Sequence, residues 1–241
     1  MSNAPAVSLT FDVEWACDAV VADVVRALDE RGLPATFFCT HAGIDVGGHE
    51  RALHPNFRRA GNTTLAGPPQ ARDGDHYRAV LAATHAFAPE AVGTRSHSLF
   101  FDSDLLPVYR DRGLRYDSSY FLPLAADLAP VERGNGIALL PVWYMDYWDL
   151  GSRATGMRVT DLPLDAPGLK VFDFHPNLIA LNANDLAQYT ACKPYYRDPE
   201  RLRAARQPGR GVANLFLELL DTLAAGRVPV APLKDIAGPP P

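Results

Sequence analysis

The stretch Ala6-Val7-Ser8-Leu9-Thr10-Phe11-Asp12-Val13-Glu14 is a short apolar run that ends in two acids. Such a run reads as a buried strand. Behind it, residues 18–31 carry apolar side chains at helical spacing (Val21, Val24, Val25, Leu28), closed by Gly32 and Pro34. Ala35-Thr36-Phe37-Phe38-Cys39 is a second apolar run. Strand, helix, strand is the unit of a parallel sheet, and the pattern recurs outward from it. Residues 61–75 are rich in Gly, Pro and polar side chains and predict a long loop. Residues 75–87 and 104–112 predict helices, and 91–95 and 114–116 strands. Residues 137–143 predict a further strand with an aromatic cluster after it, and 170–174 another. Residues 189–211 are polar and basic and predict an excursion over a barrel end. An amphipathic helix over 211–225 and a closing strand over 228–233 complete the pattern, and the tail 238–241 is expected to be disordered. The expected fold is α/β, a single-domain parallel barrel with its chemistry at the C-terminal ends of the strands.

The 241 residues suffice for one such barrel. A net charge of −5, with no Lys/Arg run, argues against nucleic acid or an anionic membrane as partner. Cys17, Cys39 and Cys192 form no CxxC pair, and their odd number argues against a disulfide framework. No signal-peptide pattern or membrane-spanning apolar run is present, so a reduced, cytoplasmic setting is expected.

Polar residues follow four of the strands: Asp12 and Glu14, Arg95 and His97, Asp117-Ser118-Ser119, and Asp173, His175 and Asn177. Residues two apart on a strand share a side, so Asp12 and Glu14 can converge, as can Arg95 and His97. Acids, imidazoles and an arginine at one barrel mouth are costly without mutual pairing or a cation. A divalent metal supplies that compensation, and a carboxylate-plus-His set suits zinc, cobalt or similar ions. Singly each signal is weak, and His41, His76 and His85 are given no role; the case rests on several such sites in order.

Those sites resemble the motifs of the polysaccharide deacetylases, the NodB-homology carbohydrate esterases. Leu9-Thr10-Phe11-Asp12 resembles the first motif and Gly48-His49-Glu50-Arg51-Ala52-Leu53-His54 the second, whose final His binds metal. Gly93-Thr94-Arg95 resembles the third, Tyr116-Asp117-Ser118-Ser119 the fourth, and Val171-Phe172-Asp173-Phe174-His175-Pro176 the fifth, which carries the general acid. The likeness runs from Leu9 to about Ile236. It implies a distorted (β/α) barrel of about seven parallel strands, residues 1–237, and hydrolysis of an amide C–N bond, foremost N-deacetylation of an amino sugar in a polysaccharide or its precursor. It implies Asp12 as general base, held by Arg95, and His175 as the acid that protonates the departing amine. It also implies a divalent ion, zinc foremost with cobalt, nickel or manganese as alternatives, with His54 among its ligands.

Two positions depart from the family pattern. The Asp that usually follows the base is Val13, and Glu14 is the candidate ligand in its stead. The second motif's further His is Arg58, which cannot ligate. His97 is the first substitute, with hydrogen bonding to substrate as its competing role; Asn56 and then His49 follow. His54-Pro55-Asn56 and His175-Pro176-Asn177 repeat one tripeptide, in which Pro steadies the preceding imidazole and Asn56 and Asn177 can bond substrate. Trp143, Tyr144 and Trp148 are candidates to stack on sugar rings, and Asp146 and Asp149 weaker candidates for polar contact.

Competing readings are a non-catalytic carbohydrate-binding protein, motivated by Val13 and Arg58, and a deformylase or other amidohydrolase. A glycosidase using Asp12 and Glu14, about 6–7 Å apart on one strand face, ranks last because it leaves His54, Arg95 and His175 unexplained. With no secretion signal, a nucleotide- or lipid-linked sugar precursor is the expected substrate form.

Overall fold

The structure is a computed structural model that describes residues 4–14, 16–58, 74–132, 135–153 and 155–238. Its strands are β1 (Ala6–Asp12), β2 (Thr36–Cys39), β3 (Glu50–Leu53), β4 (Gly93–Thr94), β5 (Tyr116–Asp117), β6 (Val131–Glu132), β7 (Ala138–Leu139), β8 (Val142–Met145) and β9 (Leu169–Phe174). Its α-helices are α1 (Asp18–Asp29), α2 (Gly74–His85), α3 (Leu105–Asp111), α4 (Asp146–Ser152), α5 (Pro176–Leu181), α6 (Leu186–Cys192), α7 (Pro199–Ala204), α8 (Val212–Ala224) and α9 (Leu233–Ile236).

The strands form one sheet in the order β6-β7-β5-β4-β3-β2-β1-β9-β8. Every neighbouring pair is parallel except β6 with β7. β7 pairs with β5 and β8 with β9, yet only Leu140 and Pro141 separate β7 from β8. One run of chain thus joins the two ends of the curled sheet. Counting that run once leaves seven parallel strands, the expected distorted barrel.

Alternation along β1 divides its side chains between two layers. Val7, Leu9 and Phe11 pack outward with α1, α5 and α8 in the largest apolar cluster. Thr10 and Asp12 face inward, where both meet Arg95. The interior holds its own cluster, which includes Phe38, Ala52, Tyr116, Leu140, Val171 and Leu233. On the far flank α2 and α3 cover a third cluster around Leu53, Val80, Leu81 and Tyr109. At the bottom of the barrel, backbone N–H groups at the start of α9 donate to Thr36 Oγ1 and Glu50 Oε2. Burial pushes the Glu50 carboxyl above its ordinary range, against the hydrogen bonds it accepts there from the Lys234 N–H, Thr36 and Tyr116.

Several sequence expectations are corrected. The closing strand over 228–233 is a single bridge from Val7 to Val230, after which the chain turns into α9. Pro229 and Pro232 lack the N–H groups a ladder needs. The strand expected over 137–143 is broken at Pro141 for the same reason. Residues 50–53, read as a motif, are a strand, and the excursion over 189–211 contains most of α6, all of α7 and a short 3₁₀ turn. The loop expected over 61–75, up to Asp73, and the tail over 239–241 lie outside the described residues.

Candidate active site

Strand alternation predicts that Glu14 shares a side with Asp12, but the geometry arises otherwise. β1 ends at Asp12, and Glu14 sits in the following turn with φ 49°. For a non-glycine residue this left-handed backbone is strained, the kind of strain that concentrates at functional sites. β4 likewise stops at Thr94, and His97 opens a 3₁₀ turn in which Ser98 and Leu99 have φ 56° and 49°. His54 follows β3 directly.

These turns bring three expected ligands together. Glu14 Oε1 lies 2.8 Å from His97 Nδ1 and 3.4 Å from His54 Nε2. One ligand atom from each residue falls within 4.8 Å of the others. The two imidazoles meet edge to face with centroids 5.6 Å apart, and His54 Nε2 is also 3.7 Å from Asp12 Oδ2. Burial would raise the Glu14 carboxyl, but hydrogen bonds to His54 and His97 hold it well below the usual range. Burial would lower His54, yet the charge of Asp12 and the bond to Glu14 draw its pKa up. Surplus negative charge around two imidazoles is what a divalent cation satisfies, and one carboxylate with two imidazoles is a donor set that zinc and its neighbours accept. The residues present therefore fit a metal.

Arg95 is fully buried and organises the acids beside this cluster. Its Nη1 donates to Thr10 Oγ1 (2.8 Å) and Asp12 Oδ1 (3.0 Å), and lies 3.0 Å from Asp173 Oδ1. Nε donates to the Ser118 carbonyl and Nη2 to the Ser118 hydroxyl. The guanidinium lies 4.2 Å above the Phe38 ring, which fixes its plane. Burial pushes the Asp173 carboxyl up to about 7, against the charge of Arg95 and reinforced by Asp12.

Across the mouth, His175 Nδ1 lies 2.6 Å from Asp146 Oδ1, and the other oxygen of Asp146 accepts the His175 backbone N–H at 2.8 Å. Burial would depress this imidazole, but Asp146 raises its pKa well above the ordinary value. Sequence reasoning missed this partner. Asp146 follows β8 and His175 follows β9, so the side-by-side pairing of those strands brings them together; the only sequence signal was an acid at a strand end.

The Asp12 and His175 side chains line one cavity of about 650 Å³ with Glu14, His97, Phe121, Tyr147, Trp148, Asp173, Tyr189 and Lys193. Of the expected substrate contacts, only Trp148 lies on it, its ring edge to face with Phe121 at 5.4 Å. Trp143 is buried, its indole N–H donating to the Ala125 carbonyl while its ring packs on Phe172. Tyr144 is fully buried and donates to Asp149. Both belong to β8, and their polar ends have internal partners. Asn56 turns the chain by accepting the Arg58 N–H, and the buried Asn177 lies in the first turn of α5; neither lines the cavity. The repeated tripeptide thus serves two ends, a turn after β3 and a helix start for which Pro176 is the first residue. Arg58 is exposed, and His49 pairs with Asp29 away from the cluster.

Comparison with known proteins places this arrangement. The model of the WbmS-like polysaccharide deacetylase family matches residues 9–193, and the chain belongs to that family. No curated protein matches the sequence. Among solved structures, the chain is similar to a candidate polysaccharide deacetylase involved in O-antigen biosynthesis from Bordetella bronchiseptica, with 28% identity, 90% of each chain covered and a TM-score of 0.76. A candidate polysaccharide deacetylase from Mycobacterium smegmatis shares the fold at 19% identity and a TM-score of 0.58, covering 98% of this chain and 93% of that one. So does a CE4-family pseudoenzyme from Bacillus anthracis, at 14% identity and 0.52, covering 98% of this chain and 66% of the other.

Proposed function

We propose that the protein is a metal-dependent hydrolase that removes the acyl group from the nitrogen of an amino sugar, in a polysaccharide or its precursor. The observation that carries this reading is one cavity walled by an acid bonded to a buried arginine and an imidazole bonded to a buried acid. Asp12 Oδ1 accepts a hydrogen bond from Arg95, and Asp146 favours His175 in its proton-bearing form. Glu14, His54 and His97 would hold a divalent ion, which when bound polarises the acyl carbonyl and acidifies water. Asp12 takes a proton from the attacking water as its oxygen bonds to the acyl carbon. His175 gives a proton to the nitrogen as the C–N bond breaks, so a carboxylic acid and a free amine leave. An amine departs poorly unless protonated, which is why the acid matters as much as the base.

The test is acid release from N-acetyl and N-formyl amino sugars by the metal-supplemented protein, with acetate and formate separated chromatographically. Asp12→Asn is expected to lower the rate by about 10²–10⁴-fold. Release of neither acid from any N-acyl sugar would remove the reading. The second reading, a sugar-binding protein without catalysis, is favoured by Val13 and Arg58, where the family usually places ligands; it predicts binding with no release at any metal concentration.

A further inference from the structure

A second chamber of about 730 Å³ opens beside the cavity and shares Glu14, His97, Tyr189 and Lys193 with it. Its outer wall is built by the 3₁₀ turn Lys193–Tyr195 and by the start of α7. Three cations stand on that wall, Lys193, Arg197 and Arg201, and none has an acidic partner within ion-pair distance among the described residues. In a chain of net charge −5, three uncompensated cations in one concavity mark the place where an anion lowers the energy.

Two acids also line the chamber, and neither pairs with these cations: Glu14 is engaged by His97 and His54. Asp198 caps α7, its Oδ1 accepting the Arg201 backbone N–H at 3.0 Å. The Arg201 guanidinium lies 4.2 Å over the Tyr195 ring, a contact through the face of the guanidinium that does not use its N–H groups. Lys193 sits 5.6 Å over Tyr189 at the boundary between the two spaces. A carboxylate would answer one of these cations. A diphosphate carries about two to three charges and offers the oxygen pairs that guanidinium forks bind.

We propose that this chamber binds a phosphate or diphosphate carried by the amino sugar, so that the substrate is an activated sugar lying across both spaces. The proposal rests on the deacylation reading, because the N-acyl group is placed at Asp12 and His175. The shared wall of Glu14, His97, Tyr189 and Lys193 lets one ligand occupy both. The phosphoryl group has two sources, a nucleotide-linked and a lipid-linked sugar, which offer the same anion to the same cations.

The test is isothermal titration of the full chain with inorganic diphosphate, methyl N-acetylglucosaminide, N-acetylglucosamine 1-phosphate, UDP-N-acetylglucosamine and a citronellyl-diphosphate-linked N-acetylglucosamine. The phosphorylated probes are expected to bind about tenfold or more tightly than the neutral glycoside, with the margin shrinking as salt rises. Arg197→Ala/Arg201→Ala is expected to abolish the margin, and Arg197→Lys/Arg201→Lys, which keeps the charge, to retain part of it. Preference for the UDP or the citronellyl probe identifies the source. Affinity for inorganic diphosphate and the phosphorylated sugars that is unchanged in the double Ala variant overturns the proposal, as does neutral glycoside binding as tight as theirs. Binding is read separately from hydrolysis. Phosphorylated sugars that bind with the expected margin but release no acid remove the deacylase and leave the chamber, whereas acid release without any margin does the reverse.

Discussion

His175 is pulled in two directions, since burial disfavours its charge and Asp146 favours it, and Asp146 prevails. The consequence for pH follows from the sign of that shift. An imidazole whose folded pKa is raised adds stability that is fully present below its unfolded value of about 6.5 and is lost as pH rises through the folded value. Asp146→Asn keeps the shape and removes the charge. It is expected to make the unfolding midpoint less sensitive to pH above about 6.5, and to move the alkaline limb of the kcat/KM profile toward lower pH. The same variant should lose roughly a hundredfold or more in rate, because proton donation contributes on that scale. An unshifted alkaline limb would mean that His175 is not the proton donor. At this scale the sequence marked Asp12, Arg95 and His175 through their order along the chain. It did not mark Asp146, because the pair is made by two strands meeting side by side.

At the scale of elements, the site depends on strands too short to be robust by themselves. β4 is two residues, Gly93 and Thr94, and β5 is Tyr116 and Asp117. They pair only because Gly93 has no side chain, since a Cβ there would fall 1.9 Å from the Tyr116 ring. Gly93→Ala must therefore displace a buried ring whose hydroxyl donates to Glu50. A cost of about 1–3 kcal/mol or more is expected, read as a lower denaturant midpoint, because overpacking of this kind is destabilising. Arg95 follows β4 directly, so activity should fall further than stability alone predicts. The apolar runs made β1, β2 and β9 legible, each being long enough to show its burial. β3 was hidden because Glu50 and Arg51 interrupt its apolar pattern, although Glu50 is buried by Thr36, Tyr116 and α9.

For the whole molecule, the cluster of Glu14, His54 and His97 joins β1, β3 and the turn after β4. A cation held there ties together segments that are distant along the chain, and an ion that binds only the folded state stabilises it by mass action. Chelation is expected to lower the thermal midpoint and to abolish acid release, with both restored by added Zn²⁺ or Co²⁺. His54→Ala should bind less than one ion per chain by elemental analysis and show no response to chelator. A wild-type midpoint indifferent to chelator and to added metal would argue against an ion at this cluster.

The sequence alone determined the alternation of strands and helices, the barrel class, and the order of the acids and imidazoles along it. These are local properties: apolar periodicity reports which side of a segment is buried, and strand ends report where polar groups collect. Tertiary structure decided what those sides meet. It turned Trp143 and Tyr144 into core, left Trp148 on the cavity, and brought Glu14, through a left-handed turn rather than strand alternation, together with His97 and His54. It also set Asp146 on His175 and gathered Lys193, Arg197 and Arg201 around one chamber. The physical reason is that a pairing between segments far apart in the chain depends on the closure of the sheet, and residue spacing along a single strand carries no record of that closure.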